Sequence, residues 1–484
     1  MRITHFLGGF ALGLTLSLSS ITRAQRVVGY YGQTAGGCPD YPPFEPSDLP
    51  VDLYTHLNFA FALIDGNGLI ASQEAKEIPK YQQVNDLKKK KTSLRTAVTV
   101  GGWDMDMAHY STMVSTRGNR QKFIQSAITF VRKYGFDGLD FDWEYPGDHK
   151  RGGHPEDAEN FVLFLKEMRE AANAENLGNG QERLILSIAL PGGPFHGDNF
   201  LIPKLAPHVD WFNIMAYNLH GQWESQVYCA APLNDPASAT EYEGYSLIQA
   251  IQTMAPQSVS PQKFNIGLSL SGVTFTLKDK TKTLPGSPAN GPGRKGCQEK
   301  GAMSFFEANN LMEQKTDIFH RKITQAPRLD EKSQCVYMVV DQDQWVGIDT
   351  PETFSYKVDF FRKFGFGGVS IWSMDSDTSD HRLTRSIHNS ITSSKGLPSP
   401  PPSSSTITDH KNSNSNSNSN SNNSTAGSGS TSNTGKVADL LPKGSPKKSA
   451  GGAATGGRET LGRLFTNAAA SVAFIACAVT ALVV

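Results

Sequence analysis

Eight short runs rich in apolar and β-branched residues recur through the first four-fifths of the chain, at 26–31, 56–62, 95–100, 138–142, 184–190, 212–217, 264–268 and 368–371. Runs of this length suit strands better than helices. Amphipathic stretches separate several of them. In 156–175, Phe161, Phe164, Leu165 and Met168 return at helical spacing, and 119–134 reads the same way. Strands alternating with helices predict an α/β fold, and eight units predict a (β/α)8 TIM barrel. The interval between 268 and 368 is too long for one crossover. It holds a strand pattern at 274–277, a Gly/Pro-rich loop at 285–296, a helix near 304–314 and a strand at 336–340. A small α+β domain, about 270–348, is therefore expected as an insertion after the seventh strand.

The fourth run ends in an unusual cluster of acids. Residues 137–146 read Asp-Gly-Leu-Asp-Phe-Asp-Trp-Glu-Tyr-Pro. Side chains alternate faces along a strand, so Asp140, Asp142 and Glu144 project to one side, opposite Phe141 and Trp143. Like charges at close range cannot all ionise cheaply, so such a row costs folding energy. In barrels of this kind catalytic groups gather at the C-terminal strand ends, where this row lies. Acid catalysis is the expected use.

The pattern Asp137-x-x-Asp140-x-Asp142-x-Glu144 resembles the signature of family 18 glycoside hydrolases, the chitinases and their relatives. Four further segments agree in order: Thr99-Val-Gly101-Gly102-Trp103, Met215-Ala-Tyr217-Asn218, Gln344-Trp345-Val346 and the run from Gly367 to Trp372. The resemblance spans about 26–385. It implies hydrolysis of β-1,4 links in chitin by a retaining mechanism assisted by the substrate, an exception to the scheme of two protein carboxylates. Glu144 would be the general acid, Asp142 would hold the acetamide N–H, Asp140 would back Asp142, and Tyr217 would bond the acetamide oxygen. Trp372 would floor the reacting sugar with its flat face. Tyr31, Gly102, Trp103, Tyr145, Met215, Asn218 and Trp345 complete the expected substrate-binding set, Trp345 from a loop-like setting. Asp137 is read as scaffolding. No cofactor and no metal site is implied.

The chain departs from the family pattern twice. Met-x-Tyr-Asp ends here in Asn218, which lacks the negative charge. Ser271-Gly272-Val273 stands where many relatives carry Tyr-Gly-Arg, so an aromatic and a guanidinium contact are missing. A slower reaction, a more acidic pH optimum or weaker sugar binding follows. Two alternatives accompany the chitinase reading: a catalytically weak chitin-binding lectin, and an endo-β-N-acetylglucosaminidase. Lectin-like members commonly lack the Glu or a neighbouring carboxylate, and Asp142 and Glu144 are both present here.

The ends read as processed segments around a barrel at 25–393. An apolar run at 6–21 followed by Thr22-Arg23-Ala24 suggests a signal peptide, 1–24. From about 394 to 450 the chain turns Ser/Asn/Pro-rich, too poor in apolar groups to offset ordering entropy, and suits a disordered, glycosylated stalk. Small residues, a polar spacer and an apolar end at 468–484 suggest a glycolipid (GPI) anchor signal, 451–484, whose tail is removed. A secreted, fungal-type protein tethered to the cell surface or wall is expected, a monomer whose partners are chitin or its oligosaccharides and, through the lipid, a membrane. The 46 basic and 46 acidic residues balance and leave no electrostatic case for nucleic acid. Of five cysteines, Cys38, Cys229, Cys297 and Cys335 lie outside the apolar end and suit two disulfides. Four allow three pairings; Cys297 with Cys335 is favoured because both fall in one segment.

Overall fold

A computed structural model describes residues 25–393, apart from 33–43, 179, 194–196 and 235–244. The expected leader, stalk and anchor segments lie outside the described residues. Eight parallel strands close into a barrel: Arg26–Tyr31, His56–Ile64, Arg95–Gly101, Gly138–Asp142, Ile185–Pro191, Trp211–Met215, Phe264–Ser269 and Gly368–Trp372. The first strand pairs with both the second and the last, so no barrel edge is left open. A ninth strand, Ile70–Ser72, pairs antiparallel on the second.

The helices follow from local signals. Arg117–Tyr134 starts where the Thr116 side chain accepts from the Asn119 N–H at 3.1 Å, and ends at Gly135, whose φ of 79° suits a left-handed cap. Its inward face is Phe123, Ile124, Ala127 and Val131. Asp157–Ala174 buries Phe161, Phe164, Leu165, Met168 and Ala172, one apolar stripe laid against the barrel. Asp137, at the start of the fourth strand, accepts from the Thr96 N–H at 2.8 Å and pairs with Lys88 at 3.0 Å. It ties strands and helix end together at the barrel's foot, far from the acids at the other end.

The expected insertion is a second sheet of six strands, with the helix Phe305–Gln314. Its main path runs Ala289–Pro292, Ser271–Leu277, Gln344–Ile348, Cys335–Val340 and Ile323–Asp330, all antiparallel, with Ala302–Ser304 paired on Ser271–Leu277. Two expectations are corrected here. Trp345 is not in a loop: it lies on the central strand Gln344–Ile348, fully buried, its indole N–H donating to the Thr283 carbonyl at 3.0 Å. Phe275 and Tyr337 enclose its ring, so it is the core of the small sheet and has no face for a sugar. Cys335 bonds Cys229, not Cys297, and so links the insertion to the segment after the sixth barrel strand. Cys297 is also disulfide-bonded, and Cys38 lies outside the described residues.

Candidate active site

The third and fourth barrel strands meet through glycine. Gly101 and Gly102 have φ of 120° and 89°, a region that side chains resist. A Cβ on Gly101 would lie 2.0 Å from the Asp142 carbonyl oxygen, and one on Gly102 would lie 2.8 Å from the Phe61 ring. Without side chains the turn closes, and the Gly102 N–H donates to the Asp142 carbonyl at 3.0 Å. The glycine pair thus sets the acid-bearing strand end.

Asp140 is fully buried inside the barrel. Four donors reach its carboxylate: the Tyr30 hydroxyl at 2.8 Å, Thr99 at 3.2 Å, Ser187 at 2.5 Å and the Asn213 amide at 3.2 Å. The amide orientation has a distant cause. Arg26 can only donate, and its Nε reaches Asn265 Oδ1 at 2.9 Å. Asn265 Nδ2 then donates to Asn213 Oδ1 at 2.9 Å, which turns the Asn213 amide nitrogen toward Tyr30 and Asp140. Burial raises the Asp140 pKa, and the donors from Ser187, Tyr30 and Thr99 oppose that rise. This cradle suits an ionised carboxylate.

Asp142 sits one step along the same face and is also buried, with no hydrogen-bond partner for its Oδ1. Burial first, then the charges of Glu144 and Asp140, push its pKa well above the usual carboxylate range. Glu144 is half-buried beyond the strand end. Burial raises its pKa to about 6, against a hydrogen bond from Tyr145 and the positive charge of Arg151, while Asp104 adds to the rise. The three acids are therefore graded: one cradled by donors, one strongly disposed to hold a proton, and one that titrates near neutrality. Desolvation is the dominant cause at each, with neighbouring charge next at Asp142.

Tyr217 joins them from the segment after the sixth strand. Burial, then Asp142, Glu144 and Asp140, raise its phenol pKa, so it stays a neutral donor. Gly267 leaves it room, since a Cβ there would lie 2.8 Å from the Tyr217 ring. Trp372 ends the eighth strand, half-buried, edge-on to Tyr30 and tilted against Phe61 at 5.7 Å between ring centres. Met215 ends the sixth strand, also half-buried. Asn218 is exposed with a φ of 51°, a left-handed backbone that Asn tolerates better than most residues. Trp103 is 58% exposed, on the segment after the third strand.

Not every expected residue faces this site. Tyr31 is buried in the main core, packed on Phe59 and Phe44, and its hydroxyl donates to the Phe44 carbonyl at 2.9 Å. The neighbouring Tyr30 points into the barrel instead, because adjacent strand positions face opposite ways. Trp345 belongs to the insertion core. Four residues of the site escaped the sequence reading: Ser187, Asn213, Asn265 and Arg151. The first three are polar residues inside otherwise apolar strands, a visible sign of a barrel-facing position. Arg151 had no such sign.

The model for the glycosyl hydrolases of family 18 matches residues 26–377. Chitotriosidase-1 of Mus musculus is 33% identical over 338 residues, covering 69% of this chain and 69% of that protein. The oviduct-specific glycoprotein of Sus scrofa is 32% identical over 359 residues, 73% of this chain and 64% of that relative, under two thirds of its length. Among solved structures, the group IV chitinase of Ostrinia furnacalis has a TM-score of 0.68 at 29% identity, covering 76% of this chain and 100% of that one. Human YKL-39, described as a pseudo-chitinase with retained chitooligosaccharide binding, has a TM-score of 0.66 at 27% identity over 76% of this chain and 100% of its own. With a match running through the whole barrel and its insertion, the chain belongs to glycosyl hydrolase family 18.

Proposed function

We propose that this protein hydrolyses β-1,4 bonds between N-acetylglucosamine units of chitin, with retention, using the substrate's own acetamide as nucleophile. The observation that carries the reading is the graded pair at the end of the fourth strand. Glu144 titrates near 6, and beside it Asp142 presents a buried, unpartnered oxygen to an incoming N–H donor. Glu144 gives its proton to the glycosidic oxygen as the C1–O bond breaks. The acetamide oxygen closes on C1 and forms an oxazolinium ion. Asp142 accepts the acetamide N–H on its unpartnered Oδ1, while Tyr217 donates to the acetamide oxygen and orients it. Water then opens the ring, losing its proton to the Glu144 carboxylate, which restores the acid and leaves a β-product. Asp140 touches no substrate. Its charge raises the proton affinity of Asp142. Trp372 supports the reacting sugar from below.

Secretion and a glycolipid tether at the cell surface belong to the same proposal, as does action on nearby wall chitin in a fungal-type setting by a monomer. The leader-like and anchor-like compositions support that part. A second reading, binding without cleavage, is the property named for YKL-39. Asn218 and Ser271-Gly272-Val273 favour it, because each removes a group that the family pattern supplies.

The full chain incubated with N-acetylglucosamine oligomers decides between them. Cleavage with a β-configured product is expected, followed by NMR. An α-product would refute the substrate-assisted mechanism. Oligomers that bind but stay intact would support the lectin.

A further inference from the structure

Arg151 ends a short turn, His149–Arg151, that the loop holds firmly in place. Asp148 accepts from the Lys150 N–H at 3.0 Å, and Asp157 accepts from the Gly147 and His154 N–H groups at 3.1 and 2.8 Å and from Ser111 at 2.6 Å. From that turn the guanidinium makes four contacts on two different loops. Its Nε donates to the Glu144 backbone carbonyl at 2.8 Å. Its Nη2 donates to the carbonyls of Trp103 and of Met105, the latter at 3.4 Å. Its planar face lies over the Trp103 ring, 4.1 Å from guanidinium carbon to ring centre.

We propose that Arg151 is a positioning residue that locks the exposed Trp103 ring and the Glu144 peptide into one rigid unit, so that a sugar stacked on the indole is delivered in register with the acid. This rests on the reading of Glu144 as the proton donor. An indole 58% exposed loses rotamer freedom when it binds a sugar, a cost that is lower if the ring is held beforehand. Only a guanidinium can both fork between two carbonyls and stack flat on a ring; an ammonium can do neither as well. The charge has a second consequence. Glu144 faces Asp142 from the strand end before it, Tyr145 beside it, Tyr217 from the segment after the sixth strand and Asp104 from the third-strand loop. Arg151 is the cation in that group, and it draws the Glu144 pKa down.

The test uses the full chain with Arg151→Gln and Arg151→Lys, measuring kcat and KM on the N-acetylglucosamine tetramer across pH, with Tm as a check on folding. In Arg151→Gln the alkaline limb of kcat/KM should move up by roughly half a pH unit, the scale of a partly exposed ion pair. KM should rise about two- to fivefold as the ring loses the guanidinium stacked on it. Arg151→Lys should keep the wild-type limb and still show the raised KM. A purely structural role would lower Tm without moving limb or KM. Limb and KM both at wild-type values in a folded Arg151→Gln protein would overturn the proposal. If the wild-type protein cleaves nothing, the catalytic reading fails separately. Arg151 is then judged by calorimetric affinity for the tetramer: two- to fivefold weaker binding in both variants supports it, and equal affinity refutes it.

Discussion

Replacing Glu144 by Gln should abolish turnover and yet stabilise the protein, in a way that depends on pH. Burial raises the Glu144 pKa from 4.5 to about 6. A shift of about 1.5 units corresponds to roughly 2 kcal/mol at 1.36 kcal/mol per unit. The sign follows from linkage. A carboxyl with a raised folded-state pKa is bound most favourably while protonated, below about pH 4.5, and that advantage is lost as pH rises through about 6. Above that, both states carry the charge, but the folded state solvates it poorly. Gln is neutral and similar in shape, so Glu144→Gln should gain up to about 2 kcal/mol at pH 7.5 and almost nothing at pH 4. For a barrel of this size that is about 2–3 °C in Tm. Asp142 loses one of the two charges that strain it, which adds to the gain. The same shift matters for rate. At pH 7 a carboxyl of pKa about 6 is protonated in roughly 9% of molecules, against roughly 0.3% at 4.5, about a thirtyfold advantage for a proton donor. Calorimetric melting of wild-type and variant at both pH values, with kcat/KM on the tetramer from pH 4 to 8, measures all of this. Equal Tm differences at the two pH values, or an alkaline limb near 4.5, would refute the reasoning. So would a variant that keeps near wild-type activity, since a general acid contributes about 10²–10⁴ in rate.

Further outcomes are expected. Tyr217→Phe should lower kcat by about ten- to a hundredfold with little change in Tm, the scale of a hydrogen bond that involves developing charge; an unchanged kcat would remove Tyr217 from the mechanism. Trp345→Ala should cost about 3–5 kcal/mol of stability by leaving a cavity in the small sheet, with KM for oligomers unchanged in the folded protein. A raised KM without destabilisation would return Trp345 to the sugar site. Cys335→Ser should destabilise by about 4 kcal/mol in denaturant titrations, because Cys229–Cys335 closes a loop of 106 residues. No loss would show that the bond contributes little to folding.

Periodicity made the barrel legible. All eight expected strands match the observed ones to within two residues at either end, and the first and fourth, Arg26–Tyr31 and Gly138–Asp142, coincide with their expected bounds. Local alternation decides which residues of a strand share a face, and that is why the three acids could be aligned before any fold was known. The insertion was legible only as an interruption. Its strand Gln344–Ile348 opens on a polar residue and holds Gly347, which breaks up the apolar run, so Trp345 looked like a loop aromatic until Phe275 and Tyr337 enclosed it. Tyr30 and Tyr31 show the limit of reading adjacent residues. Both are aromatic and buried, but one donates to Asp140 and the other to the Phe44 carbonyl.

The sequence by itself determined the repeat of strands and helices, the common face of Asp140, Asp142 and Glu144, and the family. Those features live in short-range spacing, which the chain carries wherever it folds. Tertiary structure alone decided the roles within that face. The path from Arg26 through Asn265 and Asn213 to Asp140 joins residues up to 239 positions apart, and Arg151 reaches Trp103 across 48. Burial decided the rest. A carboxyl takes its pKa from the water it loses and the charges brought beside it, and both quantities exist only once the barrel has closed.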